Sequence, residues 1–203
     1  MPSQIALPLS LSGSGDPSRI VIGNANKAAY EALLKPERWP FNTAVLTGPE
    51  RSGKSLFGKW ALGQGIAVVD GADAWDEAEL FHRWNRAQES GEPLLLISNR
   101  QPWDITLPDL KSRLSGSLQL EIGVPDDDMA AHLIEAIAVQ RGLALADGAV
   151  DYLVPRAERS FAGIERLVVA IDRLSLERKV PATMSLWRDA LEATRGPEQA
   201  RLL

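Results

Sequence analysis

Residues 48–55 constrain the fold more than any other segment, because they match the phosphate-binding loop pattern G-x-x-x-x-G-K-[ST] at every fixed position. In this pattern Gly48 and Gly53 let the backbone turn so that its N–H groups converge on phosphate oxygens, where a Cβ atom would obstruct them. Lys54 reaches the β- and γ-phosphates, and the Ser55 hydroxyl can ligate Mg²⁺. The alternative is an ordinary glycine turn. The motif therefore predicts a site for a nucleoside di- or triphosphate, with ADP or ATP and Mg²⁺ as cofactors.

The sequence on either side of the loop supports this interpretation. A strand is predicted at 43–47 and a helix at 54–62, so the N-terminus of the helix would face the phosphates with its partial positive charge. The loop residues predicted to bind nucleotide are Gly48, Arg51, Ser52, Gly53, Lys54, Ser55 and Leu56.

Strands and helices alternate from Arg19 to Gly123, which is typical of a parallel sheet covered by helices on both faces. The predicted strands are nearly continuous apolar runs, as strands buried on both faces should be. Strands are predicted at 43–47, 66–70, 94–98 and 118–122, and helices at 25–35, 54–62 and 77–89. The predicted fold class is thus an α/β P-loop domain with a parallel sheet.

The two ends of the sequence differ from this central part. Residues 1–18 have the composition of a flexible tail, in which 10–18 form a linker after a short apolar peptide. After Pro125 the apolar spacing is helical throughout, beginning with a helix that Asp126 can cap. We therefore divide the chain into a tail at 1–18, a nucleotide-binding domain at 19–123 and a small helical lid domain at 124–203.

Composition limits the classes of function. The net charge of −5 argues against a dominant nucleic-acid-binding surface, so direct DNA binding is expected to be weak or absent. Cysteine is absent, which excludes disulfides, cysteine nucleophiles and thiolate metal sites. The sequence contains no run of about 18 apolar residues, so no membrane span is predicted. The N-terminus lacks the pattern of a signal peptide. A cytoplasmic protein without a membrane partner is the expectation.

An acidic residue ends the second predicted strand. Asp70 closes the apolar strand at 66–70, where phosphate-binding-loop proteins place the carboxylate that holds Mg²⁺ together with Ser55. A plain strand-end turn residue is the alternative. In hydrolases of this kind a second acidic residue follows, whereas here Gly71 follows and Asp73 comes later. The expected general base is therefore missing, and at most weak intrinsic ATPase activity is predicted.

Three segments together resemble the AAA+ module of bacterial replication initiators, and within it the Hda family of DnaA-related regulatory inactivators. These segments are residues 48–55, the Asp70 strand with residues 98–102, and residues 107–114. The tail peptide at 4–9 also resembles the hexapeptide by which that family binds the sliding clamp, the β subunit of DNA polymerase III. The resemblance covers essentially the whole chain and implies a P-loop sheet followed by a helical lid.

The resemblance implies a role for individual residues. Asn99 matches the first sensor, and Arg113 matches an arginine finger that acts in trans on ATP held by the initiator DnaA. Residues 22–26 resemble the segment along the adenine, which makes Gly23 and Asn26 nucleotide-binding residues. The residues implied to bind the clamp are Gln4, Ile5, Leu7, Pro8 and Leu9. The implied function is clamp-dependent promotion of ATP hydrolysis by DnaA, which inhibits replication initiation.

Two features depart from the family pattern. The stretch from Lys54 to Asp70 has room for only one helix and one strand, so one strand at the edge of the sheet is predicted to be missing. Glu165 falls where the family's second sensor carries an arginine, and the neighbouring Arg166 is rotated about 100° around the helix. A glutamate there would repel phosphates.

Several alternatives stay open at this point. An autonomous P-loop ATPase or small-molecule kinase is the second hypothesis, and a DNA-binding initiation factor is disfavoured by the net charge. The sequence does not decide between ADP and ATP, or whether the protein activates hydrolysis by DnaA or only sequesters it. It also leaves open the oligomeric state, including a homodimer or higher oligomer.

Overall fold

The centre of the molecule is a parallel sheet of four strands, and the computed structural model describes residues 20–194. The predicted tail at 1–18 lies outside the described residues. The strands are β1 (Thr43–Thr47), β2 (Ala67–Asp70), β3 (Leu94–Ile97) and β4 (Leu118–Glu121). Their order is β2-β3-β1-β4, and all three pairings are parallel. Ala44 lies opposite Leu95 on one side and Leu118 on the other, which fixes the register at the centre.

Eight α-helices are present in residues 20–194, and they fall into two groups. The first group covers the sheet and comprises α1 (Lys27–Leu33), α2 (Lys54–Gly63), α3 (Glu77–Ser90) and α4 (Pro108–Ser115). The second group, called the helical part below, comprises α5 (Asp127–Gln140), α6 (Ala149–Leu153), α7 (Phe161–Arg178) and α8 (Met184–Thr194).

Side-chain caps fix where several of these helices begin. Asp76 accepts two backbone hydrogen bonds at 3.0 Å at the start of α3, Asp126 accepts one from Met129 at 2.8 Å, and the Ser160 hydroxyl accepts one from Gly163 at 2.9 Å. Each cap satisfies backbone N–H groups that have no partner within the helix. The cap predicted at Asp126 is thus confirmed.

Three apolar clusters hold these layers together. Phe57 of α2 packs with Leu46 and Ile97 on one face of the sheet, whereas Leu80 of α3 packs with Leu96 on the other face. The helical part has its own core around residues such as Ile134, Val168 and Trp187. Met129 and Phe161, in the first turns of α5 and α7, belong to the sheet cluster instead. The helical part is therefore anchored to the sheet through the N-terminal turns of these two helices.

The predicted fold class is confirmed. The predicted boundaries of the strands differ from the observed ones by no more than one residue at either end. Helix α1 is shorter than the predicted 25–35, because Asn26 has a non-helical backbone and bonds back to Gly23. Strand β2 forms one edge of the four-stranded sheet, as expected if the additional edge strand is missing. Within residues 20–194, no helix is long and apolar enough to cross a membrane.

Candidate nucleotide site and the opposite edge of the sheet

The phosphate-binding loop connects the carboxyl end of β1 to the N-terminus of α2. Gly53 adopts a left-handed conformation (φ 84°) immediately before the helix, and Arg51 is also left-handed (φ 61°). A Cβ atom added to Gly48 would lie 2.9 Å from the Cβ atom of Ile122 and 3.3 Å from the Ser52 hydroxyl. The first glycine is therefore required by close packing against the segment after β4, and the last by the turn into the helix.

The Lys54 side chain is buried against the carbonyl groups of this loop. Its side-chain ammonium donates hydrogen bonds to the carbonyl oxygens of Gly48 at 2.8 Å and Pro49 at 2.9 Å, and the residue is only 7% exposed. Burial lowers the pKa of Lys54 below the usual lysine value, while the carboxylates of Asp70, Asp73 and Glu50 act in the opposite direction. An ammonium group has three donors. One donor therefore remains for a phosphate oxygen.

Ser52 provides a second sign that the loop is built for a ligand. Its hydroxyl oxygen is buried and has no hydrogen-bond partner among the described residues. A buried polar atom without a partner costs free energy, and such groups occur where a ligand, ion or water completes the bonding. Together with the Gly48 cradle and the spare donor of Lys54, this orphaned hydroxyl fits a bound phosphate group.

A cavity of about 760 Å³ opens from the loop toward the helical part. Cavities of roughly 300–1,000 Å³ are typical of small-molecule sites. Its wall includes the predicted residues Asn26 and Asn99, together with Phe161 of α7. The predicted loop residues that line it are Arg51, Ser52, Gly53, Lys54, Ser55 and Leu56. The structure thus brings most of the predicted nucleotide-binding residues to one cavity.

The segment predicted to lie along the adenine is organised by Asn26. Its side-chain amide donates to the carbonyl of Val21 at 2.8 Å, and its oxygen accepts the backbone N–H of Gly23 at 3.0 Å. Ile20 and Val21 line the cavity, whereas Gly23 packs against Met129. Asn26 therefore shapes this wall mainly through the backbone that it holds.

Glu165 occupies the lid side of the cavity. Its carboxylate lies 3.2 Å from the guanidinium of Arg51, so an ion pair joins α7 to the phosphate-binding loop. The neighbouring Arg166 is paired with Glu158 at 2.6 Å and does not line this cavity. The cavity thus contains a carboxylate at this position, and Arg51 neutralises it.

Two acidic residues, one at the end of β2 and one shortly after it, have different partners. Asp70 is exposed and is not among the cavity-lining residues, although it is close enough to Lys54 to act on the pKa of its ammonium group. The Asp73 carboxylate, 9% exposed, accepts the backbone N–H of Asn99 at 2.8 Å and lies 3.7 Å from the guanidinium of Arg100. Asp73 therefore fixes the segment after β3 that contains Asn99, a role that the separation of 26 residues between Asp73 and Asn99 obscured in the sequence.

Sequence reasoning also missed residues contributed by the second turn of α2 and the end of α5. Lys59, Gln140 and Arg141 line the cavity, and Arg141 is held by Asp172 of α7 at 2.8 Å. These positions carry no motif, but the apolar spacing of α5 predicts which of its faces is buried. Only the folded structure shows that Leu133 and Ile137 of α5 border the cavity together with residues of α2.

Arg113 lies on the side of the sheet where the strands begin, called the amino edge below; the side where they end is the carboxyl edge. Arg113 is in the last turn of α4, which leads into the amino end of β4. The loop, Asp70 and Asn99 lie at the carboxyl ends of β1, β2 and β3. The guanidinium carbon of Arg113 is 4.8 Å from the ring centre of Trp84, and the residue does not line the cavity. The structure therefore separates Arg113 from the other predicted site residues.

The predicted metal ligands are Ser55 and Asp70. Ser55 is exposed at the start of α2 and lines the cavity. No group of three or more histidine, aspartate or glutamate side chains within residues 20–194 is arranged to hold a metal ion. A magnesium ion at this site would therefore depend on phosphate oxygens and water for most of its ligands.

The sheet order, the phosphate-binding loop at the carboxyl end of β1 and the helical part give the chain the fold of a DnaA-like AAA+ module. Domain III of the Thermotoga maritima replication initiation protein DnaA superposes with a TM-score of 0.74 at 14% identity, covering 91% of this chain and 98% of that one. AMPPCP-bound DnaA from Aquifex aeolicus superposes with a TM-score of 0.60 at 20% identity, covering 84% and 69%.

Sequence comparison identifies relatives as well. The chain is 30% identical over 171 residues to an uncharacterized protein of Haemophilus influenzae, covering 83% of this chain and 70% of the relative, and it belongs to the same family as that protein. It is also 26% identical over 119 residues to the chromosomal replication initiator protein DnaA of Lactobacillus acidophilus. That match covers 57% of this chain but only about a quarter (26%) of DnaA. No protein-family model matches the chain.

Proposed function

We propose that this protein is a nucleotide-bound AAA+ regulator of chromosome replication, of the Hda type, which binds the sliding clamp and promotes hydrolysis of ATP held by DnaA. The observation that carries the proposal is the separation of two phosphate-directed groups. The phosphate-binding loop with Lys54 faces the protein's own cavity, whereas Arg113 projects from the opposite edge of the sheet. One group suits a nucleotide of this chain, and the other suits a nucleotide held by a neighbour.

The cavity would hold ADP or ATP with its phosphates against the loop. Lys54, the orphaned Ser52 hydroxyl and the N-terminus of α2 would contact phosphate oxygens, and Ser55 and Asp70 would hold Mg²⁺ directly or through water. The AMPPCP complex of Aquifex aeolicus DnaA supports a nucleotide in a fold of this kind. Bound ADP is expected at least as readily as ATP, because Glu165 occupies Arg51, which would otherwise be available to the γ-phosphate.

The same site is poorly equipped for fast hydrolysis. Asp73 is the acidic residue nearest in sequence to Asp70, but its carboxylate is bonded to the backbone of Asn99 and lies beside Arg100. A carboxylate held in this way positions the sensor segment and is not free to polarise an attacking water. This arrangement favours a regulator over an autonomous ATPase or kinase.

Arg113 would act on ATP bound to DnaA. A guanidinium group stays charged and offers a planar fork of donors that matches phosphate oxygens. Arginine fingers supplied in trans raise hydrolysis rates by about 10³–10⁵ in other nucleotide-hydrolysing proteins. The sequence match to DnaA makes DnaA the partner that we propose for it.

The tail would tether the protein to the clamp. In this proposal Gln4 makes hydrogen bonds in the clamp pocket, and Leu7 and Leu9 are buried there, with Ile5 and Pro8 in the same peptide. Each leucine contributes about 1.5–3 kcal/mol if its side chain becomes fully buried. Residues 1–18 lie outside the described structure, so this step rests on the sequence alone.

A reconstituted assay tests the whole proposal. Phosphate release from ATP-bound DnaA is measured with DNA-loaded clamp and either the intact protein or a variant in which Gln4, Leu7 and Leu9 are replaced by alanine. The intact protein should accelerate release, and the triple variant should lose both clamp binding and the acceleration. Native clamp affinity in the triple variant would show that the hexapeptide assignment is wrong, and no acceleration by the intact protein would contradict the proposed activity.

A further inference from the structure

Arg113 shares its surface with an exposed aromatic ring, a buried tryptophan and a glycine. This surface comprises Phe41, Trp84, Arg113 and Gly116 and is called the Arg113 surface below. Phe41 lies just before β1 and Gly116 just before β4, so the surface is built on the amino edge of the sheet. None of its four residues lines the nucleotide cavity.

Trp84 forms the base of this surface. The residue is 3% exposed in α3, and the guanidinium carbon of Arg113 lies 4.8 Å from the centre of its ring. Stacking of a guanidinium on an aromatic face restricts the orientation of the arginine while leaving its N–H donors at the edge of the plane. Trp84 therefore presents the arginine in a defined direction.

The charge of Arg113 has no counterion in the described structure. No carboxylate within residues 20–194 forms an ion pair with it, although other arginines such as Arg83, Arg141 and Arg178 are paired. An exposed guanidinium that is stacked but not paired is available to an anion from another molecule. Phosphate oxygens are acceptors that suit its planar fork.

Phe41 is exposed beside the arginine by a constrained backbone. The residue is 53% exposed and has left-handed dihedral angles (φ 52°, ψ 30°), and Asn42 is also left-handed (φ 46°). Two donors, the Gln88 amide at 2.6 Å and the Thr43 hydroxyl at 2.8 Å, hold the Phe41 carbonyl. Left-handed bulky residues are rare and costly, and they concentrate at functional sites.

Packing also makes room for the ring. A Cβ atom added to Gly116 would lie 2.8 Å from Cε2 of Phe41, so a glycine is needed for the ring to lie there. The ring centre of Phe41 is 6.3 Å from that of Trp84. The ring is therefore held in place on one side and left exposed on the other, next to an unpaired arginine.

We propose that Phe41 and Arg113 form one docking surface for the nucleotide-bearing side of ATP-bound DnaA, with Trp84 as the positioning residue for Arg113. This inference rests on the proposed function. The phosphate end of the partner's ATP receives the guanidinium, and an apolar site beside that nucleotide receives the Phe41 ring. Aromatic residues and arginine dominate the binding energy of protein interfaces, which fits an exposed aromatic ring next to an unpaired guanidinium.

The first test replaces Phe41 by asparagine and measures binding of the full-length variant to ATP-bound DnaA. Asparagine tolerates the left-handed conformation, so the change removes the ring without adding backbone strain. Binding should weaken by about tenfold or more, as expected for an anchor residue. The control is Leu176→Ala, which truncates a 71% exposed leucine in the helical part and should bind as the wild type does.

The second test separates positioning from binding. With DnaA saturated by the variant, Trp84→Leu should lower the maximal rate of phosphate release by about tenfold or more, the effect of misplacing a charge-stabilising group. Trp84→Phe, which keeps an aromatic face under the guanidinium, should retain most of the rate. Thermal unfolding of both variants measures any general loss of stability, and equal loss of rate in two equally folded variants would overturn the positioning role.

The outcomes distinguish this inference from the proposed function. If Arg113→Ala abolishes stimulation while Phe41→Asn binds DnaA with native affinity, the docking surface is wrong and the proposed function stands. If the wild-type protein neither binds ATP-bound DnaA nor stimulates it, both are wrong. If Phe41→Asn changes only self-association of this protein, the assigned occupant is overturned.

Discussion

The cationic residues at the two edges of the sheet, Lys54 and Arg113, differ in burial and in bonding partners. At the carboxyl edge, Lys54 is 7% exposed, donates hydrogen bonds to two carbonyls of its own loop and lines the cavity. At the amino edge, Arg113 is exposed, stacked on Trp84 and without a carboxylate partner in residues 20–194. In the function that we propose, the first arrangement would enclose a ligand and the second would offer its charge to another molecule. The two cations therefore differ in burial in the way that these two proposed roles require.

The residue types match this difference. A lysine is a flexible point charge whose pKa changes on burial, whereas an arginine remains charged and carries a rigid fork of donors. Lys54 has lost part of its preference for the charged form through burial, and a phosphate would restore it.

Lys54→Ala should have the largest effect on nucleotide binding. It removes the buried cation of the loop, and charge-assisted hydrogen bonds of this kind are worth about 1.5–3 kcal/mol, so ADP affinity should fall by about 10- to 100-fold. Calorimetric titration with ADP and ATP measures it. Lys111→Ala, an exposed lysine of α4, is the control and should bind as the wild type does. Unchanged affinity of the Lys54 variant for both nucleotides would remove the site from the loop.

Nucleotide affinity should also depend on pH through the same lysine. Because burial lowers the pKa of Lys54, its charge is complete below that lowered value and is lost as the pH rises through it. Affinity should therefore fall at a lower pH than the titration of an ordinary lysine would cause. Calorimetry at increasing pH checks this, with Lys54→Arg as the comparison, because arginine keeps its charge throughout. A fall of the same steepness in both proteins would assign the titration to another group.

Glu165→Gln should act on the same edge with a smaller effect. Removing the carboxylate leaves Arg51 free for the nucleotide, so ATP affinity should rise by about threefold to tenfold and ADP affinity by less, in keeping with the roughly 1 kcal/mol of exposed ion pairs. Glu158→Gln is the matched control, because it breaks the neighbouring pair with Arg166 outside the cavity. Equal affinity changes in the two variants would show that Glu165 does not act on the nucleotide.

Glu77→Gln should have the smallest effect and should leave the nucleotide site unchanged. The Glu77 carboxylate accepts the backbone N–H groups of Thr106 at 3.0 Å and Leu107 at 2.6 Å, which ties α3 to the segment before α4. These hydrogen bonds lower the pKa of Glu77. Its stabilising contribution is therefore present above the usual glutamate pKa and is lost as the pH falls through the lowered value.

Thermal unfolding over this pH range measures the contribution of Glu77. The wild type should lose an increment of stability on acidification that the glutamine variant lacks, with unchanged ADP affinity at neutral pH. Identical pH dependence of unfolding in both proteins would contradict the role of this carboxylate.

Much of the fold could be predicted from the sequence because its signals are local. Nearly continuous apolar runs predicted the four strands to within one residue at either end, and Asp126 predicted the start of α5. The loop motif predicted the position of the cavity because the residues that line it there are consecutive in the sequence. The bond from Asp73 to Asn99 joins residues 26 positions apart and carries no motif. The stacking of Arg113 on Trp84 likewise depends on how α3 packs against α4, which sequence spacing does not contain.

The central claim is that Arg113 acts on the nucleotide of another protein and not on that of its own chain. Phosphate release from ATP-bound DnaA, with DNA-loaded clamp and Arg113→Ala, tests it most directly. The variant should fold and bind ADP as the wild type does, yet stimulation should collapse, and Arg113→Lys should restore little because it lacks the planar fork. Full stimulation by Arg113→Ala would contradict the account and leave sequestration of DnaA by a clamp-tethered protein in its place.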